Sequence, residues 1–167
     1  MQTFGTLLRG ARALLGENQE EVGRWVGLDP QEVSRWERGG YKLLSASGIL
    51  LQKSFEKRGV EFLTSDDRVG SGLRWKQPGT LDPFRASQFR AARAMAGLSM
   101  RDIEAKAGVS RSFISRLESG QILALNVEME QALSKALCDF HVALVPEGED
   151  FGAGVRWTVP DDFVLRR

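Results

Sequence analysis

The chain has very little of the residues that build disulfide frameworks and metal centres. It contains one cysteine, Cys138, and one histidine, His141, among 167 residues. A single cysteine excludes an internal disulfide framework, and one cysteine with one histidine cannot form a Cys/His metal cluster within one chain. The sequence therefore predicts neither a metal nor a cofactor. Cys138 is expected to be a small buried side chain and His141 an ordinary surface or sheet residue.

Long apolar runs and a strong net charge are also missing. The longest apolar runs span a few residues, which predicts no membrane segment, and Arg9 and Arg12 stand where a signal peptide needs an apolar stretch. The net charge of +1 neither favours nor excludes nucleic acid as a partner. No phosphate loop, HExxH motif or G-x-S-x-G elbow occurs, so no catalytic residue is predicted. We expect a cytoplasmic protein that is not an enzyme.

What the sequence does contain is an internal repeat. Residues 8–39 match residues 89–120 at an offset of 81, and residues 60–75 match 142–157 at an offset of 82, both ending in G-x-G-[LV]-R-W. Two collinear matches whose offsets differ by one residue indicate two copies of one module. The sequence therefore predicts a first copy at residues 1–76, a linker at 77–83 and a second copy at 84–167.

Each copy has the pattern of helices followed by a β-hairpin. In the first copy the helices are predicted from about residue 7 to 15 and at 19–26, 30–38 and 44–57, with strands at 60–64 and 73–76. In the second they are predicted at 84–96, 100–107, 111–119 and 127–140, with strands at 142–145 and 155–159.

Three polar residues are predicted helix caps: Asp29, Ser99 and Ser110. The fourth helix is predicted to turn Ile49, Leu50 and Phe55 inward. A lone hairpin is marginal in water, so the two hairpins are expected to pair, with each other or across a dimer.

The second and third helices of each copy have helix-turn-helix spacing. An apolar residue is followed four positions later by another, then by glycine, an apolar turn residue and a polar cap, as in Ile103, Ala107, Gly108, Val109 and Ser110. Two short helices that cross steeply need a permissive turn residue and a small apolar wedge at these positions. The polar side of the third helix can then enter a major groove.

With these motifs the sequence resembles the lambda-repressor-like (Cro/CI, xenobiotic-response-element type) bacterial helix-turn-helix regulators. The string GVSRSFISRLESG in the second copy is close to that family's commonest wording. The resemblance implies a mainly α fold of two tandem helix-turn-helix domains, each followed by a short β-hairpin. It also implies buried ion pairs between helix one and the end of helix three, Arg12 with Glu37 and Arg93 with Glu118.

The resemblance further implies which residues contact DNA. In the second copy they are Ser110, Arg111, Ser112, Ser115 and Arg116, with Arg101 at the start of the preceding helix. In the first copy they are Gln31, Ser34 and Arg35, with Gln19 as the phosphate-binding glutamine. Arginine suits guanine and glutamine suits adenine in the major groove.

The two copies differ in charge across helices two and three. Residues 19–38 carry five acidic and three basic side chains, whereas residues 100–119 carry three acidic and four basic ones. If one copy has lost contact with DNA, the first copy is the better suspect. Arg74 and Arg156, at the ends of the strands, could reach phosphates or could serve only as solubilising charges.

The sequence thus predicts a bacterial or phage-type transcription regulator that binds double-stranded DNA in the cytoplasm, at the nucleoid. The two copies could imitate a dimer through paired hairpins, or the chain could form a homodimer through them. The alternative function is a helix-turn-helix protein that binds another regulator instead of DNA, as an antiactivator does.

Overall fold

The computed structural model describes residues 2–41 and 44–164 and shows two successive sets of helices, each followed by two short strands. The first set comprises α1 (Gln2–Leu15), α2 (Gln19–Val26), α3 (Pro30–Glu37), α4 (Ala46–Glu56), β1 (Val60–Leu63) and β2 (Gly72–Trp75). The second set comprises α5 (Ala86–Ala96), α6 (Met100–Ala107), α7 (Arg111–Glu118), α8 (Val127–Asp139), β3 (Val142–Val145) and β4 (Gly154–Trp157). A short helix, α9 (Asp161–Val164), follows and was not predicted. The prediction of a mainly α fold is confirmed.

The predicted cap residues begin their helices. The Asp29 carboxylate accepts the backbone N–H of Glu32 at 2.8 Å, and the Ser110 hydroxyl accepts the backbone N–H of Phe113 at 3.3 Å. Ser99 and Asp102 form a reciprocal capping box. Hydrogen bonds from the Ser99 hydroxyl and N–H to the Asp102 carboxylate hold the pKa of that carboxyl below its usual value. Each cap satisfies a backbone donor that the first turn of a helix leaves without a partner.

The first helix of each set packs against the other where two alanines are fully buried. Ala11 and Ala92 are both 0% exposed, and their small side chains let α1 and α5 approach closely. Arg9 donates to the carbonyl of Ala94 at 2.5 Å, and Arg90 donates to the carbonyl of Ala13 at 2.5 Å. Each arginine therefore adds a donor at the last turn of the opposite helix, where the dipole is negative, although Ala94 and Ala13 also accept the N–H groups of Gly97 and Gly16.

The two hairpins join in one four-stranded antiparallel sheet with the order β1-β2-β4-β3. In the central pair Gly72 lies opposite Arg156, Leu73 opposite Val155 and Arg74 opposite Gly154. A β-carbon at Gly72 would lie 2.5 Å from the carbonyl oxygen of Val155, so this pairing needs glycine. Of the two pairings that the sequence left open, the hairpins adopt the one within the chain.

One apolar core runs through both sets of elements. Leu14 and Phe55 of the first set and Phe89 and Leu137 of the second are each at most 4% exposed and belong to the same cluster of buried residues. Leu73 of the central strand β2 is 0% exposed in that cluster. The sheet and the α1–α5 contact therefore enclose a shared interior.

Two predictions about side-chain burial are wrong. Ile49 and Leu50 are 41% and 52% exposed. Helix α4 turns Leu51 and Phe55, four positions apart, toward the core, so the two residues before Leu51 lie on other sides of the helix. Cys138 is exposed for the same reason, because the preceding Leu137 takes the inward position on α8.

The start of α5 also differs from the prediction. Phe84 and Arg85 have φ values of 55° and 56°, which are left-handed and cannot belong to an α-helix. They lie in a separate 3-10 turn, Pro83–Arg85, and α5 begins at Ala86. The Asp82 carboxylate accepts the N–H of Ser87 at 2.8 Å, a cap that the sequence analysis missed.

Candidate nucleic-acid interface

Helices α6 and α7, which we call the second helix-turn-helix unit, meet through a tight turn. Gly108 has φ of +70°, a conformation that favours glycine, and Val109 is 5% exposed as the wedge of the turn. Ile103 of α6 and Ile114 and Leu117 of α7 are buried. These apolar contacts fix the rotation of α7, so its polar side faces solvent.

The outer side of α7 displays the residues expected to contact DNA. All five are exposed: Ser110, Arg111, Ser112, Ser115 and Arg116. Arg101 at the start of α6 is exposed as well, and neither it nor Arg116 has an ion-pair partner among residues 2–41 and 44–164. Two unpaired cations therefore lie on this unit, at the start of α6 and on the outer side of α7.

Arg111 is bound by a neighbour that the sequence analysis did not connect with it. Its Nε lies 2.9 Å from Glu104 Oε2, and its backbone N–H donates to Glu104 Oε1 at 3.2 Å. Glu104 thus ties the start of α7 to α6 across the turn and partly neutralises Arg111. The sequence does contain a signal for this contact, because Glu104 precedes the turn and Arg111 follows it seven positions later.

Helices α2 and α3, which we call the first helix-turn-helix unit, also meet through a tight turn. Gly27 has φ of +72°, and Val22 and Val33 are buried between the helices. A β-carbon at Gly23 would overlap the carbonyl oxygen of Leu28 in the turn. Gly23 corresponds to Glu104 in the second unit, so the first unit allows no side chain where the second uses a carboxylate.

The expected DNA contacts of the first unit are less available. Gln31 and Arg35 are exposed and Ser34 is half-buried. The Gln19 amide donates to Glu37 Oε2 at 2.9 Å, so it is engaged inside the protein. Arg35 lies 3.3 Å from the Glu32 carboxylate, a surface ion pair at the rim of α3.

Acidic side chains also pair with Arg24, whereas Arg38 donates to the carbonyl of Ser34 and forms no ion pair with a residue in 2–41 or 44–164. Arg24 binds Glu20 at 2.5 Å and Glu21 at 2.6 Å. Tyr41 donates its hydroxyl to Glu32 and stacks on Trp36 with ring centroids 4.1 Å apart. The outer surface of the first unit therefore has no excess of positive charge comparable with that of the second.

A buried ion pair lies behind each unit. Arg12 Nε is 2.5 Å and Nη2 is 2.9 Å from the Glu37 carboxylate, which is 4% exposed. Arg93 makes the equivalent contacts with Glu118 at 2.6 and 2.7 Å. The hydrogen bond with Glu118 raises the pKa of Arg93 against the opposing effect of burial. These bidentate pairs join helix one to the end of helix three in both units.

The strand arginines have structural partners. Arg74 Nε lies 2.6 Å from Glu61, and its guanidinium stacks on the ring of Phe151 at 3.8 Å. Arg156 donates to the carbonyls of Gly70 at 2.7 Å and Thr64 at 2.6 Å. Both therefore hold the hairpins together.

Comparison with known proteins identifies the second unit. Residues 89–137 match the family model described as helix-turn-helix, and this range contains α6 and α7 and most of α5 and α8. No curated protein and no solved structure matches the chain. The part of the chain that the structure describes has no helix of the length and apolarity required to cross a membrane. The fold and the match agree on a helix-turn-helix within residues 89–137.

Proposed function

We propose that the protein is a bacterial or phage-type transcription regulator that binds double-stranded DNA in the cytoplasm, with α7 in the major groove. The observation that carries this proposal is the exposed polar face of α7, with Arg116 unpaired, in a segment that matches the helix-turn-helix family. An arginine on this face can bind O6 and N7 of guanine, and serines can bind bases or phosphates. Arg101 at the start of α6 supplies a phosphate contact.

The second unit is proposed to provide most of the affinity for DNA. Its surface keeps Arg101 and Arg116 free of acidic partners, and Arg111 can exchange its exposed pair with Glu104 for a phosphate or base. In the first unit Arg24 and Arg35 are both held by glutamates. These exposed pairs could exchange as that of Arg111 could, but residues 19–38 carry five acidic and three basic side chains, so binding through the first unit is proposed to add less.

We also propose that the chain is a tandem repeat that imitates a dimer, with copies at 1–76 and 84–167 joined by a linker at 77–83. The central pairing of β2 with β4 and the reciprocal caps of Arg9 and Arg90 support this arrangement. Because β2 and β4 already pair with each other, a homodimer through the hairpins could use only the outer strands β1 and β3. The two units would then read half-sites about 34 Å apart.

The proposal is tested by selecting bound fragments from a random DNA library and measuring their affinity by fluorescence anisotropy at two salt concentrations. We expect enrichment of an imperfect inverted repeat and weaker binding at higher salt, because phosphate contacts release counterions. Arg116→Ala should cost about 1–3 kcal/mol of binding free energy, since it removes one base contact.

The matched control is Arg35→Ala, which changes the corresponding arginine of the first unit. We expect it to cost less than about 0.5 kcal/mol, because that side chain is already paired with Glu32. Failure to enrich any sequence, or equal effects of the two substitutions, would contradict the proposed division of roles.

A second candidate function is binding to another regulator as an antiactivator, and the acidic surface of the first unit favours it. The exposed glutamate Glu20 and the exposed cap Asp29 give that unit a surface suited to a basic partner. If the library selection fails, affinity capture with wild-type protein and a Glu20→Lys variant, which keeps the Asp29 cap of α3, would test this function. A partner held by the wild type and lost by the variant would support it.

A further inference from the structure

A cleft of about 380 Å³ lies between the two sets of elements, and none of the five residues named on the outer face of α7 lines it. Its walls come from α1, the end of α3, the end of α5, the turn between α8 and β3, β4 and α9. This volume falls within the range of small-molecule sites. The cleft therefore has the size to hold a ligand of about ten to fifteen non-hydrogen atoms.

One wall of the cleft is apolar and includes aromatic rings. Met95 is 0% exposed, and Trp157 is 6% exposed with its indole N–H donating to the Thr6 hydroxyl at 3.4 Å. Phe140 and Ala96 line the same space. A flat or short aliphatic group could displace water from this wall without leaving a polar protein group unpaired.

Two arginines also line the cleft. Among the described residues, Arg9 hydrogen-bonds to the backbone carbonyls of Ala94 and Met95; burial lowers its pKa, and the nearby Glu37 carboxylate opposes that effect. Arg38 is exposed, and its Nε donates to a backbone carbonyl at 3.3 Å. The one acidic residue on the wall, Glu37, is already bound by Arg12. The field in the cleft therefore favours an anion.

His141 stands at the mouth of the cleft in a conformation that is unfavourable for it. Its φ is 64°, whereas the corresponding residue of the first hairpin is Gly59, with φ of 86°. A non-glycine residue in this region costs about 1 kcal/mol or more, and such residues cluster at ligand sites. The imidazole lines the cleft and meets the ring of Phe163 edge to face at 5.7 Å.

We propose that this cleft binds a small carboxylic acid with an aromatic or short aliphatic body. The body packs against Met95, Phe140 and Trp157, and the carboxylate lies near Arg9, Arg38 and His141. Glu37 ends α3 and Arg38 follows it, so the ligand contacts the segment that closes the first helix-turn-helix unit. The inference does not depend on DNA binding.

The test is isothermal titration calorimetry of the full chain with indole-3-acetate and with tryptamine. The two probes share the indole ring and carry opposite charges, so the comparison isolates the charge of the site. We expect indole-3-acetate to bind at least about tenfold more tightly than tryptamine. Equal binding, or no binding of indole-3-acetate at millimolar concentration, would overturn the proposal.

Two substitutions locate the bound probe. His141→Gly removes the imidazole and relieves the backbone, so it should weaken indole-3-acetate about fivefold while leaving the unfolding midpoint equal or higher. Ala96→Phe should fill the cleft and abolish binding. His141→Asn, which tolerates a positive φ and keeps a polar side chain, should restore part of the affinity. Binding that Ala96→Phe leaves unchanged would place the probe elsewhere and refute the proposal.

Discussion

At the scale of single residues, Gly23 and Glu104 show how two equivalent positions can have different neighbours. Gly23 faces the carbonyl oxygen of Leu28, which leaves no room for a β-carbon. Glu104 instead reaches across the turn to Arg111. The two residues occupy equivalent positions of the repeat, and the structure shows what each position contacts.

We predict that Gly23→Ala lowers the free energy of unfolding by about 1–3 kcal/mol, because the new methyl group forces the turn away from α2. The measurement is the urea unfolding midpoint at constant slope. Glu104→Ala is the corresponding change in the second unit and should cost less, about 0.5–1 kcal/mol, because it removes an exposed ion pair and one backbone hydrogen bond but forces no overlap. A tolerated Gly23→Ala would mean that the first unit is less closely packed than described.

At the scale of elements, the contact between α1 and α5 is decided by small residues and two arginines. Ala11 and Ala92 allow the close approach, and Arg9 and Arg90 satisfy the carbonyls at the ends of both helices. The repeat analysis identified these pairs as equivalent residues. It could not show that each arginine crosses to the other copy, because an arginine near a helix end can also cap its own chain segment.

We predict that Arg90→Ala lowers the free energy of unfolding by about 2 kcal/mol, because it removes hydrogen bonds to the carbonyls of Ala13 and Leu14 in α1 and to the carbonyl of Glu118. Thermal and urea unfolding would measure the loss. Arg101→Ala serves as the control, because Arg101 is exposed and its loss should change stability by less than about 0.5 kcal/mol. Equal stability of the two variants would show that the cap is energetically unimportant.

At the scale of the whole molecule, the two sets of elements depend on each other. β2 and β4 pair at the centre of the sheet, and the core cluster extends across both sets. A two-stranded hairpin is marginal on its own, so each set obtains a stable sheet only from the other. This arrangement favours one folding unit over two independent ones.

We predict that the full chain unfolds in a single cooperative transition and that a fragment of residues 84–167 is mostly unfolded or associates. Circular dichroism with urea would follow the unfolding, and light scattering would give the mass, expected to be that of an 18.5 kDa monomer for the full chain. The fragment loses β2 beside β4 and α1 beside α5. A stable monomeric fragment, or a tight dimer of the full chain, would contradict this arrangement.

The sequence by itself determined the local structure. Periodicity and caps located most helix boundaries within a residue or two, and Gly108 with Val109 identified the turn of the second unit, because these features depend on neighbours a few positions away. It also predicted which residues lie on the outer face of α7, since the inward apolar positions define the outward ones.

Only the tertiary structure decided what distant segments do to one another. The pairing of β2 with β4 and the contact between Arg111 and Glu104 are visible only in the structure. So are the cleft that His141 lines and the exposure of Ile49, Leu50 and Cys138. Periodicity identifies an apolar side chain but not the angle at which its helix meets the core. That angle, and every contact between the two copies, follows from packing the whole chain at once.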